Sequence, residues 1–207
     1  PVNCGYEKPT DDNKGYSYGK LYQWGRRFGQ GYSLEYDSEE PQIVAGPVSV
    51  AVADNDDNSN VFYTATSENS YNWLTYFNSN LWNSGTESNP EKTAYDPCPK
   101  GWRVPTYAEL LSLSAHYSKE MEHEGQTGYW FTGSVIYSSS ITNKVFLPIG
   151  GDISYDGSKG TFGVSSSYWC SGTHSPTRSY ALAVRWSVQL MNWERLASGY
   201  YVRCVQE

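Results

Sequence analysis

The sequence predicts an α+β domain built mostly of short antiparallel strands with one or two helices. Three observations support this class. Aromatic residues make up 16% of the 207 residues, with 19 Tyr and 8 Trp but only 2 Met, and such a composition favours strands over helical bundles. Gly, Ser and Asn clusters divide the apolar residues into short runs. One strong helix start is present, at Thr106.

The helix start at Thr106 is a T-x-x-E capping box with Glu109, in which each side chain can bond the backbone amide of the other residue. Pro105 disfavours helical geometry in the residue before it, so the helix should begin here and not earlier. We expect a helix over about residues 106–117. Its apolar positions fit one buried stripe and are Leu110, Leu111, Leu113 and Tyr117.

The N-terminal part of the chain, about residues 1–95, is expected to be mostly irregular because it is rich in Gly, Asn and Tyr. Its ordered pieces are a candidate short strand at Leu21–Arg27 and two apolar runs at Pro47–Ala53 and Val61–Thr66. A polar loop separates the two apolar runs. We therefore predict a β-hairpin with a long tip in this region.

Residues 96–207 are expected to form the core, in which short strands follow the helix. The strand candidates are bounded by Gly, Ser and Asn clusters and are Tyr129–Thr132, Val145–Ile149, Ser167–Cys170, Tyr180–Trp186 and Tyr200–Val205. No repeat of fixed period and no proline-rich linker divides the chain, so we predict a single domain over 1–207. Because the chain begins at Pro1 without Met or a signal segment, we expect a processed protein or the C-terminal part of a longer surface protein.

Composition and charge argue against two kinds of partner. The net charge is −7 and only 18% of the residues are charged, so the basic face that a nucleic acid requires is not expected. No window offers the roughly 18 consecutive apolar residues of a membrane-spanning helix, so we expect no membrane span in this chain. Abundant Tyr and Trp instead favour surfaces that face carbohydrate or protein.

Four cysteines, Cys4, Cys98, Cys170 and Cys204, lie far apart and form no C-x-x-C pair. This spacing argues against a zinc ribbon and a thioredoxin-type redox site, and the even number favours two disulfides in an oxidising compartment. Three pairings are possible, and four buried thiols are the alternative. We favour Cys98–Cys204, which would join the start of the helix to the last strand, and this leaves Cys4–Cys170 as the second bridge.

Five motifs follow one another along the chain, namely Tyr22–Arg26, Asp96–Glu109, Val145–Pro148, Ser167–Gly172 and Gly199–Val205. Together they resemble the Fibrobacter succinogenes major paralogous domain, a bacterial module related to the C-type lectin-like fold. The C-P-x-G-W-R-x-P-T and V-R-C-V pieces are the most specific. The resemblance implies a lectin-like fold and a secreted or surface-displayed, outer-membrane-associated protein, often a fimbrial component. It also implies a disulfide from the helix side to the last strand, in agreement with Cys98–Cys204.

The sequence departs from calcium-dependent lectins and from a related enzyme family. The lectins use an E-P-N or Q-P-D triplet followed by W-N-D, and the nearest strings here, Ser88–Glu91 and Met191–Glu194, do not match. The R-x-P-T-x-x-E element and the C-terminal R-C are also similar to formylglycine-generating oxidases, which require a closely spaced cysteine pair. Here only Cys170 precedes Cys204 in that region, so this oxidase is kept only as an alternative function.

No catalytic motif is present. The three histidines form no H-E-x-x-H, and no G-x-S-x-G occurs, so we predict a protein that is not an enzyme and has no cofactor and no metal. A weak calcium candidate has oxygens at alternating positions, at Asp54, Asp56 and Asn58. Because Ser59 replaces the turn glycine and Ala65 the closing Glu, a polar hairpin tip is the preferred interpretation.

The candidate ligand-binding residues lie late in the chain. Asp152, Tyr155 and Asp156 lie in a Gly-rich loop, and Trp186, Asn192, Trp193 and Glu194 lie between the last two predicted strands. Trp and Tyr rings can stack on sugars or anchor protein contacts, and the polar side chains give directional hydrogen bonds. The alternatives are that Trp186 belongs to the core and that Trp193 is a solitary exposed aromatic.

These observations predict a non-catalytic recognition or adhesion module of the cell surface. It would bind a glycan or a surface protein through the late aromatic loops. The alternative from a different functional class is a structural or tip domain of a fimbria-like assembly, with a pilin-like protein as its partner.

Overall fold

A computed structural model describes residues 2–8, 16–31, 40–117, 121–132, 144–160, 162–185 and 188–207. These residues contain helices α1 (Val50–Ala53) and α2 (Tyr107–Ser114), a 3₁₀ turn (Asp56–Asn58) and short strands. The strands are β1 Tyr22–Gln23, β2 Gln42–Ala45, β3 Val61–Thr64, β4 Trp102–Arg103, β5 Met121–His123, β6 Gln126–Phe131, β7 Val145–Pro148, β8 Ser165–Ser175, β9 Arg178–Arg185, β10 Val188–Arg195, β11 Gly199–Tyr200 and β12 Val205–Gln206. Two helices with mostly antiparallel strands confirm the predicted α+β class. None of the described helices is long and apolar enough to cross a membrane.

Helix α2 begins where the sequence predicts. The Thr106 hydroxyl accepts the backbone N–H of Glu109 at 3.3 Å, and the Glu109 carboxylate accepts the N–H of Thr106 at 2.8 Å. Both halves of the capping box are therefore formed. The helix ends at Ser114, earlier than predicted. Its buried stripe is also narrower than the leucine pattern suggests, since Leu110 is buried whereas Leu111 is 45% exposed.

Strands β8, β9 and β10 form the largest antiparallel sheet that the structure describes, with β9 in the centre. Helix α2 packs on one face of this sheet, because Leu110 and Leu182 belong to one buried cluster. On the other face, Trp169 and Ala181 belong to a second cluster. The sequence predicts a loop in the region of β10. That prediction is wrong, since all eight residues of Val188–Arg195 pair with β9.

Strands β5, β6 and β7 form a second antiparallel sheet. Side chains alternate across it, so Tyr129 and Phe131 of β6 enter the core, whereas Trp130 faces away, directly opposite Phe146 of β7. Gly128 makes room for the Phe146 ring, because a Cβ at this position would lie 2.7 Å from it. One face of this sheet therefore packs on the core, and the other face points towards the surface of the protein.

The predicted hairpin near the N-terminus is wrong. Residues Val50–Ala53 form helix α1, because the Ser49 hydroxyl accepts the backbone N–H of Val52 and caps a run of Ala and Val. Strand β3, Val61–Thr64, pairs in parallel with β2 and not with the segment that precedes the polar loop. The parallel partner, Gln42–Ala45, was not predicted as a strand.

Two short ladders join distant parts of the chain. Strand β1 pairs with β11, and β4 pairs with β12. The single final strand predicted at Tyr200–Val205 is therefore two short strands. Next to the second ladder, Cys98 and Cys204 form a disulfide with a Cα–Cα distance of 5.8 Å. The favoured pairing, which joins the segment before α2 to the C-terminal strand, is confirmed.

The second predicted disulfide, Cys4–Cys170, is wrong, because both cysteines are free thiols. The two residues lie on opposite sides of the β8–β10 sheet. Cys170 points into the cluster shared with α2, where its thiol donates to the carbonyl of Tyr180 at 3.0 Å. Cys4 packs against the other cluster. Its backbone N–H donates to the carbonyl of Val202 at 2.8 Å, which places Cys4 beside the C-terminal segment.

Tryptophans supply much of the core volume. Among the described residues, each of the four fully buried indoles donates its N–H to a backbone carbonyl at 2.7–3.1 Å, so burial leaves none of these four donors without a partner. These residues are Trp24, Trp73, Trp82 and Trp169. A large share of the aromatic composition therefore serves the interior of the protein and not a ligand-binding surface.

Candidate functional site

Three of the predicted site residues lie together. The Asn192 amide donates to Glu194 at 3.1 Å, and the Tyr200 hydroxyl donates to the other Glu194 oxygen at 3.2 Å. Burial and the charge of Glu194 raise the pKa of Asp152 to about 6. Tyr200 contacts the core, so this polar group is braced against the interior. Its main interactions are internal, which is typical of structural polar networks.

The remaining predicted residues do not join this group. Trp193 lies on the opposite face of β10, 45% exposed, with the Arg178 guanidinium 4.1 Å from its ring centre and His174 stacked at 5.8 Å. Tyr155 packs edge-on against another tyrosine. Asp156 is exposed, and its carboxylate accepts two hydrogen bonds from Ser158, one from the backbone N–H and one from the hydroxyl. Trp186 lies outside the described residues.

The raised pKa of Asp152 gives a testable pH dependence. The native pKa, about 6, lies above the value of about 3.9 expected for an unfolded chain, so the native protein holds this proton more tightly. The free energy of unfolding should therefore decrease as the pH rises from about 4 to about 6, by on the order of 2 kcal/mol. Asp152→Asn should remove this decrease and leave the variant more stable than the wild type at neutral pH.

Urea unfolding at several pH values between 4 and 7 measures this effect. Asp156→Asn is the matched control, because hydrogen bonds from Ser158 lower the pKa of the exposed Asp156 carboxyl. This variant should therefore not gain the stability at neutral pH that is expected of Asp152→Asn. Parallel stability curves for the wild type and Asp152→Asn would show that the Asp152 carboxylate is not destabilised on folding.

The weak calcium candidate is arranged as an ion-pair cluster. Arg27 Nε lies 3.2 Å from Asp54 Oδ1, and Arg27 Nη2 lies 3.7 Å from Asp56 Oδ1. The side-chain amide of Asn58 donates to the carbonyl of Val52 at 2.9 Å. A guanidinium thus neutralises the carboxylates that a cation would need, which favours the interpretation as a polar turn.

Three sulfur atoms come together beside the C-terminal strand. Those of Cys4, Cys98 and Cys204 lie within 4.8 Å of one another and form the one His/Cys/Asp/Glu group with metal-ligand spacing among the described residues. Two of them are joined in the disulfide, so the oxidised protein offers only the Cys4 thiol. Burial raises the pKa of Cys4, and its sulfur accepts a hydrogen bond from the Tyr22 hydroxyl. The protonated thiol is a poor metal ligand.

A cleft of about 780 Å³ opens between the outer face of the β5–β7 sheet and the N-terminal segment of the chain. This volume falls in the range of small-ligand sites. The six predicted site residues that the structure describes do not line it. The cleft is therefore a separate candidate site, which we divide into an aromatic wall and a polar floor.

The aromatic wall consists of His123, Trp130 and Phe146. Their ring centres lie 4.8 to 5.2 Å from one another. Strand pairing creates this cluster, because Trp130 and Phe146 are cross-strand neighbours and His123 ends β5 just before the β5–β6 turn. Two residues with positive φ, Glu124 and Gly125, form that turn. The Lys144 ammonium lies 4.2 Å from the centre of the Trp130 ring.

The floor of the cleft is formed by Asn3 and Arg203. An Arg203 N–H donates to Asn3 Oδ1 at 3.2 Å, and another donates to the carbonyl of Phe146. The Asn3 amide in turn donates to the carbonyl of Tyr18 at 2.8 Å. Burial lowers the pKa of Arg203, although a guanidinium in a protein stays protonated. The first and last segments of the chain thus hold a buried cation at the base of the cleft.

Sequence reasoning missed the cleft because its residues come from widely separated parts of the chain. One signal was available. In the run Tyr129-Trp130-Phe131, strand alternation obliges the middle ring to leave the core when its neighbours enter it. No comparable pattern in the sequence around Arg203 indicates that this side chain lies at a cleft.

Comparison with known proteins assigns no family to this arrangement. No family model, no curated protein and no solved structure matches the chain. The functional interpretation therefore depends on the geometry of the protein itself.

Proposed function

We propose that this protein is a non-catalytic recognition module of the bacterial cell surface that binds a saccharide in the cleft beside the β5–β7 sheet. The proposal includes the lectin-like architecture and the secreted or surface location implied by the resemblance to the Fibrobacter succinogenes major paralogous domain. Two features support it: the capped helix α2 and the Cys98–Cys204 disulfide, which ties the segment before α2 to the C-terminal strand.

The aromatic wall is the observation that carries the proposal. A saccharide ring presents an apolar face of C–H groups and an edge of hydroxyls. The wall of His123, Trp130 and Phe146 offers aromatic surface for the apolar face. The polar side chains of Asn3 and Gln126 line the same cleft and face the hydroxyl edge. Binding sites of this size combine apolar walls with a few directional polar groups.

A second surface favours a protein partner. Trp193 is exposed on β10, an edge strand of its sheet, together with Arg178 and His174. Trp and Arg are the residues most enriched among the energetic centres of protein interfaces. This surface is the place where a fimbria-like partner would dock if the protein were a structural or tip domain.

A glycan array with matched aromatic variants distinguishes the two functions. We expect the wild type to bind a defined set of glycans and Trp130→Ala to bind them about 10-fold more weakly, since stacking and burial of one indole contribute about 1.4 kcal/mol. Trp193→Ala should retain glycan binding.

Two results would contradict the saccharide proposal. The first is an array without reproducible binding, combined with capture of a pilin-like protein that Trp193→Ala abolishes. The second is loss of glycan binding in Trp193→Ala but not in Trp130→Ala, which would place the glycan at the late strands. Circular dichroism of both variants verifies that each remains folded.

A further inference from the structure

We infer that the cleft selects acidic saccharides, with a carboxylate of the sugar held by the buried guanidinium of Arg203. This inference rests on the proposed saccharide-binding function and specifies its ligand class. It is carried by the position of Arg203, by its missing counter-charge and by the surplus of positive charge at the cleft.

Arg203 is only 7% exposed and lines the cleft. Two of its N–H groups donate to uncharged acceptors, Asn3 Oδ1 and the carbonyl of Phe146, and its Nε–H is buried without a hydrogen-bond acceptor. No carboxylate of the described residues forms an ion pair with it. A buried cation without a counter-charge is costly. A ligand carboxylate at the floor would offset that cost.

The other two buried arginines of the described residues differ from Arg203 in one way each. Arg103 forms a bidentate ion pair with Glu109, with both N–O distances at 2.7 Å. Arg26 also has no ion pair among the described residues and a buried Nε–H without an acceptor, but it donates to three backbone carbonyls and does not line the cleft. Arg203 alone, among the buried arginines that the structure describes, combines a missing carboxylate with a position on a cleft.

The rim of the cleft adds charge of the same sign. Lys8 and Lys144 are exposed and line it, and the one carboxylate among the described lining residues is that of Glu124. With Arg203, the described part of the cleft has three cationic side chains against one anionic side chain, although the whole protein has a net charge of −7. This local reversal of charge attracts an anion and disfavours a cation.

A sugar carboxylate fits this arrangement better than an isolated anion. The Lys144 ammonium lies over Trp130 in the aromatic wall, so cationic and aromatic groups adjoin each other. An acidic sugar can meet both, with its ring against the wall and its carboxylate towards the floor. A free inorganic anion would use only the floor and should bind weakly.

The test is isothermal titration calorimetry of the complete chain with paired probes. Trigalacturonate is compared with its methyl ester, which has the same rings without the charges, and sialyllactose is compared with lactose. We expect the charged member of at least one pair to bind about 10- to 100-fold more tightly, as a charge-assisted hydrogen bond permits. The two pairs also show whether the carboxylate belongs to a uronic or a sialic acid. Inorganic sulfate serves as the control for a simple anion.

Variants at the rim test the charge without disturbing the core. Lys8→Gln together with Lys144→Gln should weaken binding of the acidic probe several-fold and reduce its salt dependence. Glu124→Gln should strengthen it. Lys100→Gln, an exposed lysine that does not line the cleft, is the matched control. Arg203→Lys keeps the charge but loses the guanidinium fork, and it should reduce affinity further if it folds.

The possible failures can be told apart. Equal affinity for trigalacturonate and its ester, and for sialyllactose and lactose, would overturn the acidic-ligand inference and leave the saccharide function standing. Unchanged binding of the acidic probe by the double lysine variant and by Glu124→Gln would also overturn the inference. No binding of any saccharide probe, combined with an empty glycan array, would overturn both proposals.

Discussion

Replacing both Cys98 and Cys204 with alanine is expected to lower the free energy of unfolding by roughly 4–5 kcal/mol. The two residues are 106 positions apart, so the disulfide restricts a large loop in the unfolded chain. In the chain-entropy model, the stabilisation that a disulfide provides grows with the logarithm of the length of the loop that it closes. Denaturant unfolding of the wild type and the double variant under non-reducing conditions measures the difference.

The double variant is necessary because of the third sulfur. The Cys4 thiol lies within 4.8 Å of both disulfide sulfurs, so a single Cys204→Ala change would leave Cys98 next to a new pairing partner. Cys170→Ala is the control for loss of a cysteine elsewhere. It removes a buried thiol, and it should cost less than the double variant because no loop is opened. Equal losses in the control and the double variant would contradict a stabilising role for the disulfide.

The start of helix α2 was predicted correctly because it depends on local chemistry. The capping box of Thr106 and Glu109 needs only residues four positions apart or fewer, and both of its hydrogen bonds form. The predicted Cys98–Cys204 disulfide, which joins the start of the helix to the last strand and agrees with the resemblance, is also present, although its cysteines are 106 positions apart. The second bridge, which followed only as the remaining pair, is not formed.

The errors arise where distant parts of the chain determine the local structure. Strand β10 carries Gln189, Asn192 and Glu194, which resemble loop residues, yet pairing with β9 makes it a strand. Strand β3 pairs in parallel with β2, a partner without a clear sequence signal. β-Propensity reflects packing and cross-strand neighbours more than an intrinsic backbone preference, so single-chain patterns do not specify such pairings.

The candidate site was missed for a related reason. High Trp content was interpreted as a sign of binding surfaces, but Trp24, Trp73, Trp82 and Trp169 are core residues with satisfied N–H groups. The cleft instead combines Asn3, Trp130 and Arg203, and the two floor residues are 200 positions apart. Only the folded arrangement of both chain ends shows that these residues share a cavity.

Asp96→Ala is expected to lower the free energy of unfolding by about 3–5 kcal/mol, because it removes a buried carboxylate that accepts hydrogen bonds from three groups. The Asp96 side chain is 0% exposed and accepts the backbone N–H groups of Cys98 and Val104, each at 2.8 Å. The carboxylate also accepts a hydrogen bond from the Lys92 ammonium, with an N–O distance of 2.5 Å. Alanine would leave the two buried N–H groups without an acceptor, and the Lys92 ammonium would keep only the backbone carbonyls of position 96 and Cys98.

This network connects the turn before the disulfide to the strand that leads into α2. Its loss should therefore destabilise the middle of the Asp96–Glu109 motif. Asp96→Asn keeps the shape and one acceptor oxygen, and it should cost less, about 1–3 kcal/mol. Asp57→Ala, at an exposed carboxylate, should change stability by less than about 0.5 kcal/mol and is the matched control.

A double-mutant cycle with Lys92→Met identifies the source of the loss. If the loss of a carboxylate partner for the Lys92 ammonium contributes to the cost of Asp96→Ala, the double variant should be more stable than the sum of the two single changes indicates, by about 0.5–3 kcal/mol. The remainder then belongs to the two backbone N–H groups of Cys98 and Val104, which no change at Lys92 can satisfy. Strict additivity would assign the whole loss to these amides and show that the ion pair itself does not stabilise the turn.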